Sequence, residues 1–462
     1  MEQGIKLKIQ FIFWLIAAFV ISLICQVNLA ITAFLACLCA YLKVRRQNPK
    51  NYNFLNLTLL FLIIFAGSYF IIRHDWPIFA IPFALIPMLT TLLFNDLEIS
   101  LLITLATGIS VASLSTSFFP ITSLFLISGL LSGILVLGCH KRSTIIKSGL
   151  IIGVVQVLIL FFIERFWFGS PNRYMILFLN GAITSIAVLG ILPIFEYLFK
   201  TATNISLLEL ADSHHPLLQR MVLEAPGTYH HSLIVGNLSD AACRAISANG
   251  LLARVGAYYH DIGKIEKAEY FSENQSFAQS KHDALSPDMS KLIIMNHVRE
   301  GVELAKKYRL NPALVEFVQQ HHGNSLVYYF YRRAIESLED DENIKEEGFR
   351  YPGPKPGTKE TAIVLLADSV EAATRALKEA TPVKIEEVVH KVINNKFIDG
   401  QLDECDLKLR DIEKIAAVFI RILGGIYHSR VPYGDEPKIE NNHKKSAKED
   451  PRQSDKDKKS NS

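Results

Sequence analysis

Two regimes of hydrophobic patterning divide the chain. Up to residue 199 apolar residues run almost unbroken; beyond Lys200 they recur at spacings of three and four between polar positions. The first regime is that of membrane spans, each needing about 20 apolar residues, or roughly 17 at the short end. It predicts spans over 54–72, 77–94, 98–117, 120–139, 148–164 and 174–199. Residues 9–42 form a longer run with Gln26 and Asn28 at its middle. Read as a tight hairpin it brings the total to eight helices; read as one helix, to seven.

The second regime is amphipathic helix. Leu233, Val235, Leu238 and Ala242 make one such face, and Leu292, Met295, Val298, Val302 and Leu304 another. Breakers fall at Pro226-Gly227, Gly263, Pro287, Pro312 and the proline-rich loop 351–357. No run alternates as a half-buried strand does. The predicted fold class is all-α: a polytopic transmembrane helix bundle over 1–200, a linker over 201–225 and an all-helical soluble domain over 226–430. A polar tail over 431–462 lacks the apolar residues that a core requires. The acidic stretch near 339–347 and the proline loop after it read as an exposed insertion.

Composition fits this segregation: half of the 462 residues are hydrophobic, yet 20% are charged. A net charge of +3 argues for no particular partner. The six cysteines form no CxxC pair, which suits a reducing compartment for the soluble half. Lys6 and Lys8 ahead of an apolar run resemble a signal peptide, but no small-residue cleavage site follows, and the segment reads as a retained anchor. With both termini inside, ten basic residues (among them Lys43, Arg45, Arg46, Lys141 and Arg142) lie on inner segments, and only Arg73, Arg165 and Arg173 on outer loops. That bias places the soluble half in the cytoplasm. The spans hold almost no ionisable residue away from their ends, so the bundle reads as an anchor with a sensing role rather than a transporter.

Histidine placement carries the chemistry. His230-His231 follow Pro226-Gly227; His260-Asp261 close the apolar segment 255–259; His297 sits in an amphipathic helix; His321-His322 end one; Asp368 follows the apolar run 362–367. Any one of them alone reads as an ordinary polar helix residue. Together, on successive helices of one domain, they would be costly to bury without a shared partner, and a metal centre supplies one. Imidazole and carboxylate without cysteine suit iron or manganese better than structural zinc.

His260-Asp-Ile-Gly-Lys264 resembles the motif of HD-domain metal-dependent phosphohydrolases. Pro226-Gly-Thr-Tyr-His-His-Ser232, His297 with the following Val-Arg-Glu-Gly-Val-Glu-Leu-Ala305, His321-His-Gly323 and Leu365-Leu-Ala-Asp-Ser-Val-Glu-Ala372 are similar to the seven-transmembrane HD-domain phosphohydrolase family, which includes the PgpH-type cyclic di-AMP phosphodiesterases. The likeness runs from about Thr32 to about Arg430.

The resemblance implies a membrane-anchored enzyme that hydrolyses cyclic di-AMP to pApA. Two divalent ions, iron or manganese, would share an activated water. His231, His260 and Asp368 would complete one ion's shell, and His297, His321 and His322 the other's, with Asp261 bridging. Lys264 would offset charge on the phosphate oxygens, and Gly263 would keep the backbone narrow beside the phosphate. The implied setting is a bacterial inner membrane, crossed several times. The implied partners are a cyclic dinucleotide, membrane lipid and at most a second copy as a homodimer, with no nucleic acid polymer. Alternative readings are an HD phosphohydrolase acting on cyclic di-GMP or an alarmone, and a non-catalytic nucleotide receptor.

The sequence departs from the family twice. Asn324 stands where Thr is usual, and only the turn near Gln26–Asn28 stands where members carry a large extracytoplasmic domain. His282-Asp283 reads as a loop pair, and His214-His215 as part of the linker.

Overall fold

The computed structural model describes residues 54–164, 170–275, 281–336 and 344–427. The proposed hairpin over 9–42 and the tail over 431–462 lie outside these. Among the described residues the chain is helical, with one isolated bridge between Leu326 and Arg350 and no strand.

The apolar regime folds as α1 (Phe54–Arg73), α2 (Leu85–Phe94), α3 (Leu97–Ala112), α4 (Phe118–Val136), α5 (Arg142–Ile163) and α6 (Pro171–Phe199). Helices α4, α5 and α6 are long and apolar enough to cross a membrane. The run at 77–94 is not one continuous helix. It breaks into a 3-10 turn over Ile78–Ala80 and the ten-residue α2, with Pro82 between them. Proline contributes no N–H and cannot continue the hydrogen-bond ladder. Carbonyls left over at such a break must find donors where water is absent. Asn180 supplies them, its Nδ2 donating to Phe79 O at 3.1 Å and Ile81 O at 2.7 Å.

Helices α5 and α6 touch backbone to backbone. A Cβ on Gly181 would lie 2.3 Å from Gly149 O, and one on Gly153 would lie 2.4 Å from Phe178 O. Small residues allow such approach, which is how helices pack in lipid without a hydrophobic drive.

Beyond Lys200 come α7 (Asn204–Leu210), α8 (Pro216–Glu224), α9 (Pro226–Ala245), α10 (Gly250–Tyr259), α11 (Pro287–Lys307), α12 (Pro312–Gln320), α13 (Tyr328–Glu336), α14 (Lys359–Arg375), α15 (Pro382–Ile398) and α16 (Leu409–Tyr427). Helix α14 is the axis of this half: all six residues of the run 362–367 are fully buried among α9, α10, α12, α15 and α16. A helix apolar on every side is one surrounded by others.

The two halves are tied at the linker. Arg142, opening α5, forks onto Glu209 of α7 at 2.7 and 2.9 Å. Tyr259 Oη donates to Leu210 O at 2.7 Å, and Asn311 Nδ2 donates to Thr201 O at 2.8 Å.

Overpacking a close contact costs about 1–3 kcal/mol. Gly181→Leu is expected to lower the thermal midpoint of the detergent-purified chain by several degrees. Gly190→Leu, on the same helix but with nothing within 4 Å of its Cβ, should leave it unchanged. Equal midpoints for the two variants would refute the α5–α6 contact.

Candidate metal centre

Five elements deliver the predicted residues to one point. His231 lies one turn into α9, buried, while His230 points out and is exposed. His260 caps the C-terminus of α10 and Asp261 follows it. His297 sits on α11, His321 caps α12 with His322 next, and Asp368 projects from α14. Their donor atoms form two overlapping groups, His231, His260, Asp261 and Asp368, and Asp261, His297, His321 and His322. Within each group the atoms lie within 4.8 Å of one another.

Asp261 belongs to both groups through different oxygens. Its Oδ2 is 3.1 Å from His260 Nε2 and 3.8 Å from His231 Nε2. Its Oδ1 is 3.3 Å from His297 Nε2 and 3.5 Å from His321 Nε2. Asp368 Oδ1 is 3.0 Å from His231 Nε2 and its Oδ2 3.6 Å from His322 Nδ1.

The outer nitrogens explain why the inner ones point as they do. His260 Nδ1 meets Ala257 O at 2.6 Å, His321 Nδ1 meets Val318 O at 2.9 Å, and His297 Nδ1 meets Ile294 O. A carbonyl only accepts, so each Nδ1 carries a proton and each Nε2 is the nitrogen turned inward. His231 does the same against the Glu371 carboxylate. Two of these carbonyl sets belong to the last turns of α10 and α12, where backbone oxygens lack helical partners and the dipole favours a cation.

The cluster fits a metal better than it fits itself. His260 Nε2 and Asp261 Oδ1 are buried with no hydrogen-bond partner. His297 and His321 bring Nε2 to within 3.1 Å of Nε2, each ring already donating from the other nitrogen. Lone pair facing lone pair is repulsive unless a cation lies between. The donor set, nitrogen and oxygen without sulfur, suits a divalent transition ion.

Electrostatics agree. Burial alone would raise the Asp261 carboxyl, but the charges of His260 and Lys264 hold it well below the usual range. Asp368 is likewise held down against burial, by the hydrogen bonds of His231 and His260. Burial would lower His260, yet Asp261 and Asp368 lift it to about 10. His321 is pushed down to about 4, chiefly by burial, and His322 falls well below its ordinary value through burial and His321. The carboxylates are thus ionised and attract positive charge, while His321 and His322 stay neutral and able to donate electron pairs.

Lys264 is the eighth predicted residue. It is no solvated helix end: the side chain is 12% exposed, with Nζ 2.7 Å from Asp261 Oδ2 and 2.8 Å from Glu273 Oε1. Gly263 is required by its neighbour across the turn. A Cβ there would lie 1.8 Å from His297 O, so the glycine lets the HD turn press against α11.

The segment read as an exposed insertion is exposed at Lys345, Glu347, Gly348, Pro352 and Pro354, but its aromatic side chains turn inward. Phe349 and Tyr351 are buried, and the Tyr351 ring stacks on His322 at 4.3 Å and 27°. Tyr351 N donates to Ser325 O and Arg350 bonds Asp399 and Asn324 O, which pins the loop over the centre. Asn324 pairs with Gln401 through both backbone and side chain. Glu371, Glu273 and Tyr351 all touch the site, and the sequence offered little sign of them beyond Glu371 lying about one turn after Asp368. His282 is buried between Tyr270 and Phe330, apart from both groups. His215 caps α8 and packs on Tyr259.

Comparison with known proteins came to the same region. Residues 13–203 match the model described as "7TM receptor with intracellular HD hydrolase", and residues 228–373 match the HD domain. The chain is 39% identical over 425 residues to the cyclic-di-AMP phosphodiesterase PgpH of Bacillus subtilis, covering 88% of this chain and 59% of that one. It is 39% identical over 391 residues to PgpH of Listeria monocytogenes, covering 82% and 53%. The chain therefore spans little more than half the length of these curated relatives. The crystal structure of the L. monocytogenes PgpH HD domain in complex with cyclic-di-AMP aligns at 45% identity and a TM-score of 0.45, over 47% of this chain and all of the other.

If Asp261 touches both ions, Asp261→Ala abolishes manganese binding at both positions. Removing a partner such as Glu371 typically weakens a metal site about 10–100-fold, and Glu371→Gln should do so with stoichiometry kept. Metal analysis and calorimetric titration read both. Two ions per chain in Asp261→Ala would overturn the bridging assignment.

Proposed function

The chain belongs to the family of 7TM receptors with an intracellular HD hydrolase, and we propose that it is a membrane-anchored phosphodiesterase that hydrolyses cyclic di-AMP to linear pApA. His231, His260, Asp261 and Asp368 would hold one divalent ion, and Asp261, His297, His321 and His322 a second, iron or manganese being the ions such donors favour. The observation that carries this reading is Asp261, whose two oxygens face two separate imidazole pairs. The 39% identity to two cyclic-di-AMP phosphodiesterases supports the choice of substrate.

Ions held there supply Lewis acidity at phosphorus and bring the pKa of water towards neutrality. The chain's own part is preorganisation. The carbonyls of Ala257, Ile294 and Val318 and the Glu371 carboxylate fix four imidazoles in one tautomer, so no reorientation is needed when substrate arrives. Tyr351 roofs His322 and excludes water from that flank. Lys264 brings a fixed positive charge to the rim, where charge grows on the non-bridging phosphate oxygens. In the reaction water adds to phosphorus, the bond from phosphorus to the 3′-oxygen breaks, and that oxygen leaves with a proton. The hydrolase half and both termini would face the cytoplasm, by the excess of inner basic residues.

The detergent-purified full chain, loaded with manganese, is expected to convert cyclic di-AMP to pApA, and Asp368→Ala should lower the rate by at least about a hundredfold. Chromatography of a nucleotide panel decides it. Brisk cleavage of cyclic di-GMP or of a guanosine alarmone, with cyclic di-AMP untouched, would replace this substrate with another.

A further inference from the structure

Glu273 takes no part in the two donor groups, yet it is built into the centre with unusual care. It lies in a 3-10 turn, Ser272–Asn274, that docks on the start of α9. Asn274 Oδ1 accepts from Thr228 N at 3.1 Å, and its Nδ2 donates to Thr228 Oγ1 at 2.9 Å. Gly227 admits the turn: a Cβ there would lie 1.9 Å from Glu273 O. The Glu273 side chain is 7% exposed, and Oε1 receives Lys264 Nζ at 2.8 Å and Thr228 Oγ1 at 3.3 Å. Phe271, in the same segment, sets its ring 5.0 Å from Lys264 Nζ and 5.8 Å from the His297 ring.

Lys264 is therefore shared between two carboxylates, and one of them is Asp261. An ammonium 2.7 Å from an oxygen that faces a metal position is a competitor for that oxygen. Its charge opposes a divalent ion's in a site where burial strengthens every such interaction. A second carboxylate on the same ammonium changes the balance. It neutralises Lys264 locally and gives it somewhere else to stay when Asp261 turns to an ion.

We propose that Glu273 is a positioning residue of this centre, which shares the Lys264 ammonium with Asp261 and takes it up when Asp261 turns to an ion, and so permits both divalent ions to bind. The proposal rests on the two-ion reading of the site but not on the identity of the substrate. Without Glu273 the ammonium has one carboxylate left, and it stays on Asp261. The deficit is thus carried by Lys264, and deleting the ammonium cures it.

The test is a manganese titration of the full chain, read by calorimetry and by metal content after gel filtration, on Glu273→Gln, Lys264→Met and the double variant. Glu273→Gln keeps the side chain's size and its acceptor for Thr228 but loses the charge. It is expected to weaken manganese binding about tenfold, while Lys264→Met and the double variant bind as the wild type does or more tightly. A merely structural Glu273 would leave the double variant as weak as Glu273→Gln, and that result overturns the proposal. So does wild-type affinity in Glu273→Gln. Because no substrate enters the titration, a wild type that binds two ions and fails to cleave cyclic di-AMP sinks the substrate assignment alone. A wild type that binds no manganese sinks the two-ion reading and this inference with it.

Discussion

A single buried carboxylate organises the soluble half. Asp261 is 1% exposed and faces four imidazole nitrogens and one ammonium. Burying such a charge is strongly unfavourable unless it is paired, so everything nearby is arranged to face it. The helices that carry its partners cannot slide without uncovering it. The imidazoles cannot flip either, because their outer nitrogens hold backbone carbonyls and Glu371. Fold and site are here the same set of contacts. The backbone oxygens that end α10 and α12 are satisfied by the very rings that make the centre.

That arrangement also fixes where the membrane half can attach. The linker after α6 is hydrogen-bonded at two points, Leu210 O to Tyr259 and Thr201 O to Asn311. Tyr259 immediately precedes His260, and Asn311 is the N-cap of the helix that His321 closes. The Arg142–Glu209 fork adds a bond from the start of α5 to α7. An exposed pair of this kind contributes little on its own, but its two-pronged geometry sets direction. The linker thus bears on two of the helices that deliver the cluster, at the last residue of α10 and the N-cap of α12.

Much of this was legible in the sequence because periodicity and joint placement are strong signals. The 362–367 run could only be a surrounded helix, and Asp368 behind it had to be paired. His231 rather than His230 followed from the motif resemblance, and the structure buries the former. What was illegible depended on contacts distant along the chain. The 77–94 run looked like an unbroken span because hydropathy does not register that Pro82 breaks the ladder and that Asn180, about a hundred residues away, supplies the missing donors. Tyr351 sat in a loop of prolines and glycines that composition marks as exposed, and only its pairing with Ser325 and the Arg350–Asp399 bridge bring it over His322.

Charge balance connects the acidic residues that the sequence left without a role. Asp261, Asp368, Glu273 and Glu371 are in mutual reach through His231 and Lys264. Against these four carboxylates stand Lys264 and the partly exposed Arg375, the latter 3.4 Å from Glu371. The carboxylates outnumber these two cations, and the rest of the compensation falls to the buried imidazoles, above all His260, which Asp261 and Asp368 lift to about 10. An excess of carboxylates in so buried a place attracts positive charge, which is the condition under which a divalent ion would bind. An anion approaching the cluster would be repelled by Asp261 and Asp368, and a cation held between them would remove that repulsion.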